Sequence, residues 1–520
     1  ETLVNPARPC KIHGIRPRPH AVGLAVMGYS YPGREMVSLH LLLLSVFRVS
    51  AQYPQYKVVV GGSHTCVMFN STVVRCFGDN QYGQYGDGGT TLTNSAPGSF
   101  MNLDLTGGRT VKGFFGSSGY ASFVVYTDNT VQCCGIGYLA ILGYNSFRGT
   151  VTPHPTLLTS PSLNSIPGVV DDIKVGWLVA CALTTAGTVH CWGCVKHGEW
   201  GNGTVPSQAQ GTPSNVILPS QRYALSIGVG GMGSNSIDGF SIQTRGTACA
   251  VLDDHSLVCW GGNLYGQIGD GTQTHRPTPV AVSSLSNVSF VTGGGYHTCA
   301  IHSGGNLSCW GRNTWGQCGN GRMISAETTP QHVPLPAAAT KVALARAVSC
   351  ALLSTQRIMC WGENTYGVVG DGTYINRTSP RYVDVSSSER FSDISAGFHH
   401  ICAVKADGCG IMCWGSNTFG QLGVGSNTAQ NKPVGTLTAH CITRTPTSAP
   451  TATLAPTHVP TNSPSPSPSA SPSQSPSISP STSSPLTLGP TWSPTSTPSA
   501  SPSFAPTTVS PTSTPSASPS

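Results

Sequence analysis

Short apolar runs alternate with polar, glycine-rich turns along most of the chain. In the stretch 299–321, CAIHSGGNLSCWGRNTWGQCGNG, the runs Cys299-Ala300-Ile301 and Leu307-Ser308-Cys309-Trp310 flank the turn Ser303-Gly304-Gly305-Asn306. A loop punctuated by glycines, 311–321, follows the second run. Two short apolar segments joined by such a turn predict a β-hairpin that ends in a tight polar loop.

The chain contains seven copies of this hairpin, and they align on its second cysteine. Successive cysteines of this set are separated by 57, 58, 68, 50, 51 and 53 residues, and the set is Cys76, Cys133, Cys191, Cys259, Cys309, Cys360 and Cys413. A β-rich repeat of about fifty residues is typical of a closed, radially repeated fold. The pattern therefore predicts an all-β protein, a seven-bladed β-propeller over residues 52–442 with four short strands in each unit.

A longer motif extends the repeat. Cys-Trp-Gly occurs five times, and a loop such as Asn263-Leu264-Tyr265-Gly266-Gln267-Ile268-Gly269 recurs after the hairpin. The pattern W-G-x-N-x-x-G-Q-x-G resembles the regulator of chromosome condensation repeat family, whose members are seven-bladed propellers. The resemblance covers about residues 56–440, and the second repeat, Cys133-Cys134-Gly135, departs from it by lacking the Trp and the loop.

A second cysteine stands ten or eleven residues before the repeat cysteine in six of the seven units. The two residues straddle the hairpin turn, so they should face each other across antiparallel strands, within reach of a disulfide. The second repeat has Phe123 at the upstream position. The predicted pairs are Cys66–Cys76, Cys181–Cys191, Cys249–Cys259, Cys299–Cys309, Cys350–Cys360 and Cys402–Cys413.

Six such disulfides favour an oxidising compartment. Cys10 lies before the signal peptide predicted below and is left out of the count. Six cysteines then remain outside the predicted pairs, an even number whose connectivity is undetermined: Cys133, Cys134, Cys194, Cys318, Cys409 and Cys441. Sequons for N-glycosylation are compatible with the same compartment, and they begin at Asn70, Asn202, Asn287, Asn306 and Asn376.

The two ends of the chain differ from the repeats. Residues 1–35 show no hydrophobic period and are predicted to be unstructured. The predicted start of the protein is Met36 or Met27, and the residues upstream of it are interpreted as an artefact of gene prediction. Residues 36–51 contain a short apolar core and small residues before Gln52, which is typical of a signal peptide. Residues 443–520 are rich in Ser, Thr and Pro, and this composition predicts a disordered, extended stalk.

Charge is nearly balanced over the repeats. Residues 52–442 hold 20 Lys and Arg and 18 Asp and Glu, a net charge of +2 within the +7 of the whole chain. No basic cluster appears, so a nucleic-acid partner is not expected. No segment reaches the roughly 18 apolar residues of a membrane helix, so no membrane span is expected either.

An insertion in the fourth unit is the predicted binding loop. Gly294 precedes Cys299 by five residues, whereas Gly230 precedes Cys249 by nineteen. The extra residues, about 231–244, must project from one rim of the propeller, where such loops commonly bind partners. The candidate contact residues are Gly231, Met232, Ser234, Asp238 and Phe240, and an inert loop is the alternative.

Three other patterns suggest chemistry only weakly. The stretch 228–233 satisfies G-x-G-x-x-G, but no helix is predicted after it, which disfavours a dinucleotide site. Cys191-Trp192-Gly193-Cys194 could be redox-active or bind zinc, but Cys191 is assigned to a disulfide. His64, His297 and His400 each stand two residues before a repeat cysteine, which favours a structural role. We expect no cofactor, no metal and no catalytic site.

The ring is predicted to close by exchange of a strand. Later units have a Pro-Val strand before the hairpin, as at Pro279–Val282, whereas the first unit has only Tyr56–Val60. A spare copy, Pro433–Leu437, follows the seventh hairpin. Because an open edge strand is a liability, this copy is expected to pair with Tyr56–Val60 and complete the first blade.

These features predict a secreted or cell-wall recognition or scaffold protein, a monomeric propeller that binds an extracellular protein or glycan through its loops. The architecture resembles receptor ectodomains of the plant crinkly type and secreted bacterial propellers with the same repeat. The alternative that the family implies is a guanine-nucleotide exchange factor for a small GTPase, which would work in a reducing compartment. An enzyme is the third possibility.

Overall fold

The computed structural model describes most of the repeat region. The described residues are 56–90, 101–102, 109–116, 119–136, 140–143, 153–177, 179–193, 196–205, 209–231, 246–408 and 410–437. The chain divides into two units, Glu1–Thr443 and Arg444–Ser520, and every described residue belongs to the first. The predicted signal peptide, the predicted stalk and Cys194, Cys409 and Cys441 lie outside the described residues.

Blades one to three form the first part of the ring. Blade one contains β1 (Lys57–Val60), β2 (His64–Asn70), β3 (Val73–Gly78) and β4 (Met101–Asn102). Blade two contains β5 (Val111–Gly116), β6 (Ala121–Tyr126), β7 (Val131–Ile136) and β8 (Pro153–Thr159), and the short helix α1 (Pro161–Asn164) follows it. Blade three contains β9 (Val170–Val175), β10 (Val179–Thr184), β11 (Val189–Gly193) and β12 (Gln210–Asn215).

Blades four to seven complete the ring. Blade four contains β13 (Ala224–Gly230), β14 (Thr247–Leu252), β15 (Leu257–Gly261) and β16 (Arg276–Ala281). Blade five contains β17 (Val288–Gly293), β18 (His297–His302), β19 (Asn306–Asn313) and β20 (Ile324–Val333). Blade six contains β21 (Ala339–Leu344), β22 (Val348–Leu353), β23 (Ile358–Gly362) and β24 (Arg377–Tyr382), and blade seven contains β25 (Phe391–Ala396), β26 (His400–Lys405), β27 (Ile411–Gly415) and β28 (Gln430–Leu437).

The seven sheets confirm the predicted propeller. Each sheet has four antiparallel strands that follow the chain in order, so every blade is a contiguous segment. The predicted grouping of strands was wrong by one strand, because Arg276–Ala281 pairs with Leu257–Gly261 and is the outer strand of blade four. The Pro-Val segment therefore ends one blade instead of beginning the next.

The predicted strand exchange at the closure of the ring was also wrong. Gln430–Leu437 pairs with Ile411–Gly415 inside blade seven, and Lys57–Val60 pairs only with β2 among the described strands. Blade one takes its outer strand from Met101–Asn102, which pairs with Arg75 and Cys76. The ring therefore closes through packing of blade seven on blade one, and none of the described strands is shared between the two blades.

All six predicted cysteine pairs are present at disulfide distance. Their sulfur atoms lie 1.99–2.14 Å apart, and the partners stand directly opposite each other on the second and third strands of a blade. Phe123 faces Cys133 at the equivalent position of blade two. Cys133, Cys134 and Cys318 are free and buried. Burial raises the pKa of all three thiols, so they behave as small apolar side chains.

The core lies between neighbouring blades, and the repeat tryptophans fill it. Trp192, Trp260, Trp310, Trp361 and Trp414 are fully buried. Each indole Nε1 donates to a backbone carbonyl in the loop of the preceding blade, as from Trp310 to Gln267 O at 2.9 Å. Buried aromatic rings of this size dominate core energetics, and each indole N–H needs such a partner. These five tryptophans are therefore packing residues and cannot form an exposed carbohydrate platform.

Three buried histidines link neighbouring blades by a common arrangement. Nε2 of His297 lies 2.9 Å from Ser349 Oγ, and this hydroxyl donates to Gln317 O at 2.8 Å. Since the hydroxyl proton is used in that bond, the imidazole must donate through Nε2–H. His64 bonds Ser122 in the same way at 3.1 Å, and His400 bonds Thr65 at 2.9 Å. The last of these bonds joins blade seven to blade one.

A glycine stands three residues before each of these histidines for a steric reason. A Cβ atom at Gly294 would lie 2.4 Å from Cε1 of His297, so the ring occupies the space of any side chain there. Gly61 and Gly397 stand in the same relation to His64 and His400, at 2.1 and 2.8 Å. The blades without this histidine have Ala121, Val179, Thr247 and Val348 at its position.

Candidate functional site

The strand order gives the propeller two different faces. One face carries the turns between the first and second strands of each blade together with the loops that follow the third strands, and we call it the exit-loop face. The opposite face carries the hairpin turns between the second and third strands, and we call it the hairpin face. Gly231, the described start of the fourth blade's insertion, follows β13 on the exit-loop face.

The repeated Asn and Gln of the exit loops hold the loop backbone. Asn263 Oδ1 accepts a hydrogen bond from the backbone N–H of Ile268 at 2.9 Å, and its Nδ2 donates to Thr272 O at 3.0 Å. Gln267 Oε1 accepts from the backbone N–H of Tyr265 at 2.9 Å. Both side chains are buried, so their role is structural. They hold the residue between them, Tyr265, at the surface.

Half-buried and exposed aromatic side chains form a row across the exit-loop face. Ring centroids are 5.1 Å apart for Tyr82–Tyr120, 5.5 Å for Tyr120–Trp177 and 5.5 Å for Trp177–Phe398. The row continues from Phe398 through His399 to Tyr366 at 4.7 Å per step. We call Tyr82, Tyr120, Trp177, Phe398, His399 and Tyr366 the aromatic row. Its members come from blades one, two, three, six and seven, so the ring brings together residues that are distant in sequence.

Two arginines stand beside aromatic rings on this face. The Arg346 guanidinium lies 6.0 Å from the centre of the Phe398 ring and forms an ion pair with Glu363 at 3.2 Å. The Arg312 guanidinium lies 5.2 Å from Tyr265 and 5.8 Å from Tyr296, whose rings are themselves 5.3 Å apart. Guanidinium groups over aromatic faces are held by cation–π attraction. Aromatic and arginine side chains therefore share the same surface.

Two ionisable groups of the row, Tyr120 and His399, are neutral near neutral pH. Burial and the nearby charge of Arg346 lower the pKa of His399 to about 4. Burial raises the pKa of Tyr120 to about 12. The rings of Tyr120 and His399 are thus uncharged, and the arginines supply the positive charge on this surface.

The predicted binding loop is only partly described. Gly231 lies at its start, and its backbone N–H donates to Gly294 O at 2.9 Å. The other predicted contact residues, Met232, Ser234, Asp238 and Phe240, lie outside the described residues. The aromatic row was not predicted from the sequence. Part of its signal was present, because Tyr120, Trp177 and Phe398 stand in the turns just before a second strand.

The predicted glycosylation sites lie at the ends of strands or in loops. Asn70, Asn287 and Asn306 are exposed on the hairpin face. Asn202 and Asn376 are half-buried in exit loops, and Asn376 Oδ1 accepts a hydrogen bond from the backbone N–H of Asn364 at 2.8 Å. Their glycosylation stays a prediction.

The patterns that suggested other chemistry are used structurally. Gly228 and Gly230 lie within β13, and β14 follows the insertion, so the glycines do not open a helix. Cys191 is paired with Cys181, and His197 Nδ1 lies 3.3 Å from the buried carboxylate of Glu199. Within the part of the chain that the structure describes, no three His, Cys, Asp or Glu side chains are grouped to hold a metal ion. No helix in that part is long and apolar enough to cross a membrane.

Comparison with known proteins identifies the repeat. The family described as "Regulator of chromosome condensation (RCC1) repeat" matches residues 254–301, 305–352 and 357–404, and a second family of the same description matches 288–317 and 391–421. The ultraviolet-B receptor UVR8 of Arabidopsis thaliana is 26% identical over 394 residues, which are 73% of this chain and 82% of that protein.

Two further relatives bear on the fold. The probable E3 ubiquitin-protein ligase HERC4 of Mus musculus is 32% identical over 45% of this chain, but the match spans only 21% of that protein. The crystal structure of Prp20p from Saccharomyces cerevisiae superimposes with a TM-score of 0.59 at 17% identity, covering 74% of this chain and 88% of that chain. At that identity the likeness to Prp20p shows the fold alone.

Proposed function

This chain is a seven-bladed propeller of the regulator of chromosome condensation repeat family, and we propose that it is a secreted recognition protein that binds a partner protein through its exit-loop face. The aromatic row carries the proposal. Tyr, Trp and Arg are enriched among the residues that contribute most to protein–protein binding. Their flat, half-buried rings give a large contact area at a low cost in conformational entropy.

The proposed extracellular location rests on the cysteines. Six cross-strand pairs at bonding distance would have no use in a reducing compartment, where thiols are kept reduced. The near-balanced charge of the repeat region supports a protein partner over a nucleic acid.

The test compares three forms of the full chain as bait for proteins of the extracellular fraction. Trp177→Ala removes the centre of the row, where Trp177 contacts both Tyr120 and Phe398. Tyr223→Ala is the matched control, because Tyr223 is 50% exposed but lies near the hairpin face. We expect the native chain and Tyr223→Ala to recover the same proteins and Trp177→Ala to lose at least one of them by tenfold or more.

Equal recovery by all three forms would contradict the proposal. Circular dichroism and thermal unfolding of the bait proteins provide the folding control. Trp177 is half-buried and its ring contacts are those of the row, so the variant should unfold cooperatively near the native temperature. Crosslinked peptides from a recovered partner should map to the exit-loop face and not to the hairpin turns.

A further inference from the structure

The first strands of all seven blades surround a central cavity of about 210 Å³. At about 30 Å³ per molecule of liquid water, this volume equals roughly seven waters. The exit-loop end is narrowed by backbone hydrogen bonds between turns, from Gly62 to Gly119 O at 2.9 Å, from Phe398 to Gly62 O at 3.1 Å and from Arg346 to Phe398 O at 3.2 Å. Trp177 and Phe398 meet over the same end.

Charged side chains line the cavity wall or border it. The lysines are Lys57, Lys174 and Lys341, from blades one, three and six, and the carboxylates are Asp172 and Asp393. Lys174 pairs with Asp172 at 2.7 Å, and Lys341 pairs with Asp393. Two of the three positive charges are thus matched within their own ion pairs, and the group as a whole carries one excess positive charge.

Lys57 is the lysine that remains unmatched. No carboxylate of the described residues lies within 4.0 Å of its Nζ, which instead stands 5.0 Å from the centre of the Phe115 ring. Burial and the charges of Lys174 and Lys341 lower the pKa of Lys57, and Asp172 and Asp393 offset this only in part. An anion placed beside this ammonium would relieve the repulsion.

The remaining wall indicates which anion fits. Val59, Phe115 and Phe290 supply apolar surface, and Thr292 and Ser395 supply hydroxyl groups. One excess positive charge balances one negative charge, whereas Asp172 and Asp393 would repel a dianion such as phosphate. Apolar surface beside the ammonium suits a ligand with a short hydrocarbon body.

We propose that the central cavity is a binding site for a small organic monocarboxylate, whose carboxylate pairs with Lys57 and whose hydrocarbon body lies against Phe115 and Phe290. This site is separate from the aromatic row and does not depend on the proposed partner protein. Its ligand class is defined by charge, size and the apolar wall.

Reductive methylation of the full chain, followed by peptide mapping, tests this proposal. Formaldehyde reacts with the neutral amine, so an anion paired with Lys57 should slow its modification. The probes are sodium acetate, butyrate and benzoate, with benzyl alcohol and sodium phosphate as comparisons at equal ionic strength. Lys432 is the internal control, because it is exposed on the outer strand of blade seven.

We expect at least one of the three carboxylates to slow methylation of Lys57 fivefold or more while Lys432 is unaffected, and benzyl alcohol to have no effect. Unchanged modification of Lys57 with all three carboxylates would overturn the proposal, as would equal protection by phosphate. In a second measurement, the protecting carboxylate should raise the unfolding temperature of the native chain and of Lys432→Met but not of Lys57→Met. An equal rise in Lys57→Met would also overturn it.

Discussion

Single histidines link the blades and should make the fold sensitive to acid. Burial lowers the pKa of His64 to about 4 and those of His297 and His400 to about 3. Their ordinary pKa is about 6.5, so the unfolded chain takes up protons at a pH where the folded chain does not. The contribution of each imidazole to stability is complete above pH 6.5 or so and is lost as the pH falls toward 3 to 4.

The first prediction concerns His297→Gln. Between about pH 6 and pH 4.5 the unfolding free energy of the native chain should fall with pH, and each such histidine accounts for about 1.4 kcal/mol per pH unit. His297→Gln should be less stable than the native chain at pH 7. Its unfolding free energy should, however, fall by about 1.4 kcal/mol less per pH unit than that of the native chain. Urea unfolding at several pH values measures the slope. An unchanged slope in His297→Gln would contradict the tautomer and burial described above.

The second prediction concerns Thr65, whose hydroxyl joins blade seven to blade one. It accepts from His400 and donates to Gln421 O at 2.9 Å. Thr65→Val should cost about 1 to 3 kcal/mol, because it leaves a buried N–H and a carbonyl without a partner. Thr298→Val is the matched control, since Thr298 donates to Gln267 O but faces no histidine across the blade boundary. Equal losses in unfolding free energy for the two variants would argue against a special role of the His400 bond.

At the scale of strands, much of the fold could be predicted from the sequence. The hairpin and the cysteine pairs are local, because both partners lie within eleven residues and the antiparallel register places them opposite each other. The outer strand is not local. Arg276–Ala281 is separated from β15 by the exit loop, and its local sequence does not specify which of two neighbouring sheets it joins. The wrong grouping of this strand also produced the wrong model of ring closure.

The candidate site was predicted even less well, for a related reason. Residues of the aromatic row stand in turns and loops of five different blades, and they meet only because seven blades form a ring. A pattern within one repeat shows that Tyr120 or Phe398 precedes a strand, but it does not show that Trp177 lies between their rings. The insertion could be recognised in the sequence because it lengthens one repeat. The aromatic row leaves the length of the repeats unchanged and shows only in the types of residue at turn and loop positions.

The third prediction concerns one disulfide hairpin. Replacing Cys299 and Cys309 together with Ala should lower the unfolding free energy by about 3 kcal/mol, the chain-entropy value for a loop of roughly ten residues. The double variant should keep the native fold and lose only stability, because the strand pairing on both sides of Cys299 and Cys309 does not depend on the disulfide. Chemical unfolding of the double variant measures it. A loss of cooperative folding would mean that the disulfide is needed to form the blade.

At the scale of the whole molecule, each blade is a complete sheet and the ring is held by contacts between faces. The boundary between blades seven and one contains Val58, Phe77 and Leu422 together with the His400–Thr65 bond. Phe77 stands where five other blades have the repeat Trp, and it packs on the chain at Gly423. The boundary between blades seven and one is therefore built from the same kind of contact as the other boundaries, with the phenyl ring of Phe77 in place of the larger indole.

The state of the cysteines in the protein isolated from its native source tests most directly whether this is an extracellular recognition propeller. Alkylation of free thiols followed by non-reducing peptide mapping should recover the six in-blade pairs, with Cys133, Cys134 and Cys318 outside them. Free thiols at the twelve paired cysteines would contradict the proposed extracellular location and favour the exchange-factor alternative, which requires a reducing compartment.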